Sequence, residues 1–267
     1  VSFSGGKDSA VLADLAARVC KITGYKLILW FSDTGLEFPE VRNYVKTYRD
    51  WLKQKYDVDI EIVIDYPKDK KGKRIKFRKV IEEYGYPIVS KEVSQVIEEA
   101  RKHKITGKYI YRVKRLNGEL LDKNGNKSIY NCEKWKFLLD SPFLISNKCC
   151  SVMKKNPSKK YEKETGFHSM IGTMACESQA RKTAWKLHDC NAFNGKRPCS
   201  QPLSFWTEQD ILQYIKTFNI PIASVYGEVL QDDKGKYYTT GVNRTGCVSV
   251  CLAVISKKNR IDFNASR

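Results

Sequence analysis

The stretch Ser4-Gly5-Gly6-Lys7-Asp8-Ser9 constrains this chain more than any other. Val1-Ser2-Phe3 precedes it and Ala10-Val11-Leu12-Ala13-Asp14-Leu15-Ala16 follows, which reads as strand, glycine turn and helix. Such a turn brings unpaired backbone N–H groups and the positive end of a helix dipole to one point, and that point attracts anions. Gly5 and Gly6 allow a phosphate to approach the backbone with no Cβ in the way. Ser4 and Ser9 add hydroxyls, and Lys7 adds a mobile positive charge. The spacing is not that of a Walker loop, which has four residues between its first glycine and Gly-Lys. The plain alternative is a Gly-Gly helix start with a chance lysine.

Strand and helix signals then alternate. Lys26-Leu27-Ile28-Leu29-Trp30-Phe31 reads as a buried parallel strand ending in the polar cluster Ser32-Asp33-Thr34-Gly35. Pro39 opens a helix to about Tyr56, with Val41, Tyr44, Val45, Tyr48 and Leu52 at helical spacing, and Ile60–Ile64 reads as the next strand. The alternation predicts an α/β fold with a doubly wound, mainly parallel sheet that gathers ligands at its carboxyl edge. Further along, a helix is expected over Ser90–His103, a strand over Ser169–Ala175, a helix over Glu177–His188, and another helix capped by Thr207. The basic run from Lys68 to Lys79 reads as a solvated loop or as a track for a phosphate backbone. Residues 104–139 read as a basic insertion, a hairpin or small subdomain, with Tyr109, Tyr111, Tyr130 and Trp135 among its lysines.

Forty-eight basic against thirty acidic residues leave a formal charge of +18. That balance attracts polyanions such as nucleic acid, although a generally lysine-rich composition gives the same number. No stretch reaches the roughly 18–20 apolar residues of a membrane span. The first strand has only three residues before its turn, so the numbering is expected to begin inside a longer protein. Nine cysteines are too few for a disulfide scaffold, and the neighbours Cys149-Cys150 suit a metal or redox role in a reducing compartment, here the cytoplasm. Cys20 and Cys132 read as structural, and Cys176, Cys190 and Cys199 as small buried residues ahead of spare ligands or redox thiols. His103, His168 and His188 show no metal spacing.

The segments Ser4–Ser9, Asp33-Thr34-Gly35 with Phe38-Pro39-Glu40, Cys149-Cys150, Gly172 to Arg181 with Glu177-Ser178, Pro202 with Trp206, and Thr245-Gly246-Cys247 occur in an order that resembles the phosphoadenosine-phosphosulfate reductase family. The likeness is to its phage and bacterial branch of unassigned substrate, within the PP-loop adenine-nucleotide α-hydrolases, and covers residues 1–248. It implies a Rossmann-like nucleotide-binding domain with a cysteine-bearing C-terminal part. Ser4, Gly5, Gly6, Lys7, Asp8 and Ser9 would hold phosphate, with Asp33, Thr34 and Gly35 beside the ribose or adenine. Lys7, Asp8, Asp33 and Arg181 would serve the chemistry. Arg181 would clamp a distal phosphate or sulfate, and Asp8 or Asp33 would contact Mg²⁺. The nucleotide would be ATP or an adenylyl sulfate. Cys149, Cys150, Cys247 and Cys251 resemble the ligands of a [4Fe–4S] cluster, or of zinc, converging near the distal end of the nucleotide.

Two departures redirect the function. Met174 stands where family reductases usually carry arginine, and the Glu-Cys-Gly-Leu-His tail with the attacking cysteine of true reductases is absent. An adenylation-dependent sulfur transfer with a sulfur-donor protein is therefore expected ahead of a thioredoxin-dependent sulfonucleotide reductase. A non-catalytic nucleic-acid-binding relative is the third reading.

Beyond Val248 the residues match no pattern of the family. Restoring one T at the Val248–Ser249 codon junction lets the following codons read Phe-Cys-Leu-Phe-Gly-Cys-His-Phe-Glu-Lys-Glu-Pro-Asn-Arg-Phe-Gln-Arg-Leu-Lys, which recreates Cys-x-x-Cys after Cys247. Residues 249–267 are accordingly expected to be a frameshifted reading of the family's own C-terminus, with cluster binding impaired. Sequencing the source DNA checks this: codons unable to yield that peptide after a one-base insertion would end the idea.

Overall fold

The computed structural model describes residues 1–69, 71–103, 110–195 and 197–245. In chain order its first elements are α1 (Lys7–Thr23), β1 (Leu27–Ser32), α2 (Pro39–Tyr56), β2 (Ile60–Asp65), α3 (Phe77–Tyr84), α4 (Lys91–His103) and α5 (Ile110–Asn117). There follow α6 (Asn156–Thr165), β3 (Ser169–Met170), α7 (Gln179–His188), β4 (Asn191–Ala192) and β5 (Cys199–Ser200). The last are α8 (Glu208–Phe218), β6 (Val229–Gln231) and β7 (Tyr237–Thr239). They form two compact units, whose described residues are 1–66 with 157–245, and 67–156.

The first unit is α/β, as the alternation predicts. β1 and β2 pair in parallel from Leu27 opposite Ile60 to Ser32 opposite Asp65. Val1–Phe3 lies beside β1: Phe3 N–H donates to Trp30 O at 2.8 Å and Trp30 N–H to Val1 O at 2.9 Å. On its other side Ser2 N–H donates to Met170 O of β3 at 2.8 Å. β3 pairs in parallel with β5, which pairs antiparallel with β4. The sheet order is thus β2, β1, Val1–Phe3, β3, β5, β4. The chain builds outward in one direction through β1 and β2, then returns to build in the other from β3. That reversal beside Val1–Phe3 is the switch point at which open α/β sheets bind ligands, and the Ser4–Ser9 loop emerges there.

α1 covers this sheet with Ala10, Val11, Leu12, Ala13 and Ala17, all essentially inaccessible. Phe3 stacks on Tyr48 of α2 with ring centroids 5.3 Å apart, and Tyr48 stacks on Trp51 at 5.4 Å. The Tyr48 hydroxyl donates to Ala10 O at 2.7 Å, so the ring also closes a polar bond inside the core. The predicted Thr207 cap is present as a capping box: Thr207 Oγ1 accepts from Asp210 N–H, and Asp210 Oδ2 accepts from Thr207 N–H at 2.7 Å.

One carboxylate fastens three helices. Asp14 of α1 is fully buried and accepts four donors: Tyr56 OH at 2.8 Å, Tyr214 OH at 2.7 Å, Arg18 Nε at 3.1 Å and Lys55 Nζ at 3.3 Å. The Arg18 guanidinium lies 4.2 Å from the Phe218 ring centroid, over the last turn of α8. Burial, and then the bond to Asp14, push the Tyr214 phenol above its usual range.

The second unit packs Val93, Val96 and Ile97 of α4 against Leu116, Leu138 and Ile145. Ser90 caps α4, its Oγ accepting from Val93 N–H at 3.1 Å, one residue from the predicted start. The Arg101 guanidinium donates to the carbonyls of Leu138, Leu139, Ser141 and Phe143 and so shapes that loop. Between Lys68 and Lys79 a short bridge joins Lys68 to Arg74, and α3 begins at Phe77 with Val80 fully buried. Within 110–139 the hairpin turn is present as a bridge from Leu121 to Lys127, preceded by α5, which the basic composition concealed. Residues 104–109 and 249–267 lie outside the described residues. No described helix is long and apolar enough to cross a membrane.

The Asp14 cluster predicts a stability effect. Asp14→Ala leaves Arg18 and Lys55 without their buried partner and is expected to destabilise the protein by about 3–5 kcal/mol in urea titrations. A loss below about 1 kcal/mol would show that the cluster does not hold the helices together.

Candidate functional site

The loop is shaped by its own serines. Ser9 Oγ donates to Gly6 O at 2.8 Å and accepts from Ser4 N–H at 3.2 Å, while Ser4 Oγ accepts from Gly6 N–H at 3.3 Å. Gly5 has φ +71°, and a Cβ there would stand 2.7 Å from Val41 Cγ1 and 2.9 Å from Val45 Cγ2. Only glycine fits both that backbone and that approach to α2. Gly6 is the N-cap of α1 and offers no side-chain cap. Among the described residues the Gly5, Asp8 and Ser9 amides carry no hydrogen bond, so the anion-binding geometry is present.

Lys7 is 2% exposed, so the charge expected to be mobile is instead buried. Its Nζ lies 3.2 Å from Asp8 Oδ1 and 3.3 Å from Glu208 Oε1, the latter on the first turn of α8. Asp8 Oδ1 has no other donor among the described residues. Burial raises the Asp8 carboxyl above its ordinary value; Lys7 and Arg244 oppose that rise and Glu177 adds to it.

Three further segments enclose the loop. Tyr226, 2% exposed, accepts from Lys7 N–H at 3.3 Å, and its hydroxyl lies 2.7 Å from Thr245 Oγ1. Past β3 the chain crosses the loop at Gly172, where a Cβ would come within 3.1 Å of Asp8 O. The turn Ala175–Glu177 follows, and Glu177 accepts from Met174 N–H at 2.9 Å. Glu177 Oε2 pairs with Arg181 Nη1, and Glu177 Oε1 pairs with Arg244 Nη1 at 3.2 Å. Arg181 therefore reaches the site through an ion pair with Glu177.

Asp33, Thr34 and Gly35 follow β1, on the same sheet edge as the loop. Their polar atoms fold the turn: Asp33 Oδ1 accepts from Gly35 N–H at 3.0 Å, Asp33 Oδ2 pairs with Arg42 Nη2 at 2.9 Å, and Thr34 Oγ1 donates to Glu37 Oε1 at 2.7 Å. A cavity of about 390 Å³ lined by Leu12, Leu15, Trp30, Tyr161 and Met170 lies elsewhere in this unit and includes no loop residue.

The sequence matches the family described as phosphoadenosine phosphosulfate reductase domain over residues 1–107 and 90–251. The chain belongs to this family. Among solved structures it is similar to the phosphoadenylyl-sulfate (PAPS) reductase of Candida auris in a phosphate complex. The identity is 14% and the TM-score 0.41, with 88% of this chain and 80% of that one covered. No curated protein matches the sequence. Membership of the phosphoadenosine phosphosulfate reductase family relates the chain to sulfonucleotide enzymes in general.

For such a family member the cysteines are the second feature of interest. Cys149 and Cys150 lie in the second unit with Sγ atoms 4.0 Å apart, a separation two thiolates on one metal centre can adopt. Cys247 and Cys251 lie outside the described residues, and no group of three or more metal-ligating side chains occurs among those described. Cys176 is exposed, and Cys190 and Cys199 are half-buried, so the expectation that these three are buried core residues is corrected. Each borders a short strand or turn too thin to cover it.

The Cys150 thiol is pulled down to about 5, chiefly by the Cys149 thiol hydrogen bond, against burial and with help from Lys91 and Lys154. Metal-free protein should therefore show iodoacetamide reactivity at Cys150 whose rate rises through about pH 5 and is level by pH 7, because only the thiolate reacts. Lys91→Met should move that midpoint upward. A midpoint near the ordinary thiol value of about 8.5 would overturn the assignment.

Proposed function

We propose that this protein binds an adenine nucleotide on the Ser4–Ser9 loop and uses it in adenylation-dependent sulfur transfer. The observation that carries the reading is the loop itself. Unbonded amides and the buried ammonium of Lys7 meet at the switch point of a doubly wound sheet.

In this reading the nucleotide is ATP, and an acceptor oxygen attacks its α-phosphorus. The bond to the bridging oxygen breaks, and pyrophosphate leaves with the electron pair, its charge taken up by the loop amides and Lys7. The terminal sulfur of a donor persulfide then attacks the activated carbon of the acceptor, AMP leaves with the C–O electron pair, and a second donor thiol cleaves the resulting disulfide to free the thiolated acceptor. The formal charge of +18 favours a polyanionic acceptor such as nucleic acid. Mg²⁺ would sit beside Asp8, whose Oδ1 meets only Lys7 among the described residues. Cys149 and Cys150, with Cys247 and Cys251, would hold a [4Fe–4S] cluster or zinc, which when bound supplies a sulfur-rich centre. The alternative is a thioredoxin-dependent reaction in which an adenylyl sulfate is reduced.

Incubation with labelled ATP and with adenylyl sulfates separates the two. AMP and pyrophosphate from ATP support the proposal; sulfite from an adenylyl sulfate with thioredoxin, and no ATP cleavage, would replace it. Lys7→Ala is expected to weaken ATP binding by about ten- to a hundredfold in calorimetry, since a charge-assisted contact is worth about 1.5–3 kcal/mol. Ser9→Ala should weaken it as well, by releasing Gly6 O and Ser4 N–H from the turn. Unchanged affinity in both would remove the nucleotide site.

A further inference from the structure

The excess positive charge is not spread evenly along the chain. Residues 67–156, in the second unit, hold 23 of the 48 basic residues and only 10 of the 30 acidic ones. This third of the chain therefore carries +13 of the net +18, where an even composition would give it about +6. A generally lysine-rich sequence does not account for that. Much of the charge is also unspent: Lys71, Lys73, Lys76, Lys114 and Lys123 are exposed, and none has an acidic partner among the described residues.

Large rings stand in water among these lysines. Tyr130 is 55% and Phe137 65% exposed. The Phe137 ring centroid lies 6.2 Å from that of Trp135, and Lys134 Nζ sits 5.4 Å from the Trp135 centroid. Tyr86 and Phe143, both exposed, meet edge to face at 5.5 Å, with the Arg78 guanidinium close enough to the Tyr86 phenol to interact with it. The backbone beneath Tyr130 is fixed. Arg115, itself buried, donates from Nε to Tyr130 O at 2.7 Å and from Nη1 to Glu92 Oε1 at 2.7 Å. Asn131 ties the next position to Leu120 through both ends of its side-chain amide. A solvated loop needs the lysines but gains nothing from holding rings out. Membrane binding would gather them on one face of an amphipathic helix, whereas these come from loops and a short helical turn.

Unspent ammonium groups draw phosphates, and exposed rings offer faces on which unpaired bases stack; a duplex hides those faces. We propose that the second unit binds single-stranded nucleic acid. Lys71, Lys73, Lys76, Lys114 and Lys123 track the strand's phosphates, and Tyr130, Phe137 and Tyr86 stack on its bases. This deepens the function proposed above, from which it takes the strand's role as acceptor; the binding itself requires no ATP.

Fluorescence anisotropy on the full chain tests it, with labelled oligo(U), oligo(dT) and the oligo(dA)·oligo(dT) duplex as probes over a range of salt. A single strand should bind at least about tenfold more tightly than the duplex, and the tighter of oligo(U) and oligo(dT) identifies the strand as RNA or DNA. The triple variant Lys71→Gln, Lys73→Gln, Lys76→Gln should weaken binding at low salt. It should also flatten the slope of log affinity against log salt by about two, since each phosphate contact on a single strand contributes about 0.7. Tyr130→Ala and Phe137→Ala should each weaken single strands at least about fivefold and leave the salt slope unchanged, while Tyr130→Trp keeps a stacking face and binds normally. Melting temperatures report whether each variant folds. No oligonucleotide binding at low salt would overturn the inference. So would equal affinity for strand and duplex with silent ring variants, or tighter binding to phosphatidylserine vesicles than to either strand. ATP affinity, followed by calorimetry, should be the same in all these variants. A protein that binds ATP but no strand ends this inference alone; one that binds the strand but not ATP ends the nucleotide reading and leaves the surface standing.

Discussion

Everything at the loop depends on where α1 is held, and the Asp14 carboxylate sets that. Its four donors come from α1, α2 and α8, so one buried charge fixes the helix that begins with the loop and the helix that supplies Glu208. A buried carboxylate is tolerable only when its lone pairs are filled, and here two phenols and two cations fill them. The cations are in turn covered by rings, Arg18 by Phe218 and Lys55 by Trp51, with the Lys55 ammonium 4.4 Å from the Trp51 centroid. Polar satisfaction and apolar packing therefore serve the same three-helix junction.

The loop itself is held by backbone closeness. Gly5 against Val41 and Val45, and Gly172 against the Asp8 carbonyl, put main chain where any side chain would collide. The turn is thereby pressed between α2 and the segment after β3, and its serines close it from within. Such a turn keeps its amides aimed without help from a ligand, which lowers the ordering cost of binding.

Much of this was legible in the sequence, for reasons of range. The loop, α2, β2 and the Thr207 cap are local patterns, and each appears within a residue or so of its expected place. β3 was legible as a strand but not in length. It stops at Met170, because after Ile171 N–H pairs with Ser200 O the chain turns at Gly172 across the loop. Glu177 was expected to open a helix and instead sits in a short turn, with Ser178 capping α7 through Arg181 N–H. α3 and α5 were hidden because each is only eight residues long and adjoins a lysine-rich run that reads as loop. Tyr226, Glu208 and Arg244 carry no local signal. Tyr226 meets Lys7 across 219 positions of sequence, a proximity that only the assembled sheet creates.

The charges around the loop explain why so many ionisable groups coexist there. Lys7, Arg181 and Arg244 face Asp8, Glu177 and Glu208, three cations against three carboxylates. The carboxylates keep the cations aimed, since an unpaired buried ammonium at Lys7 would be costly. An anionic ligand adds negative charge to this balanced set, and three responses can absorb it. Lys7 can turn from Glu208 toward the ligand, a divalent cation can enter beside Asp8, or Asp8 can take a proton. The last is favoured by the direction in which burial already moves Asp8. Because proton uptake accompanies that response, anion affinity would fall as pH rises through the Asp8 value in the folded protein. Asp8→Asn, which cannot titrate, would flatten the profile, so the slope of affinity against pH separates the proton from the metal as the source of compensation.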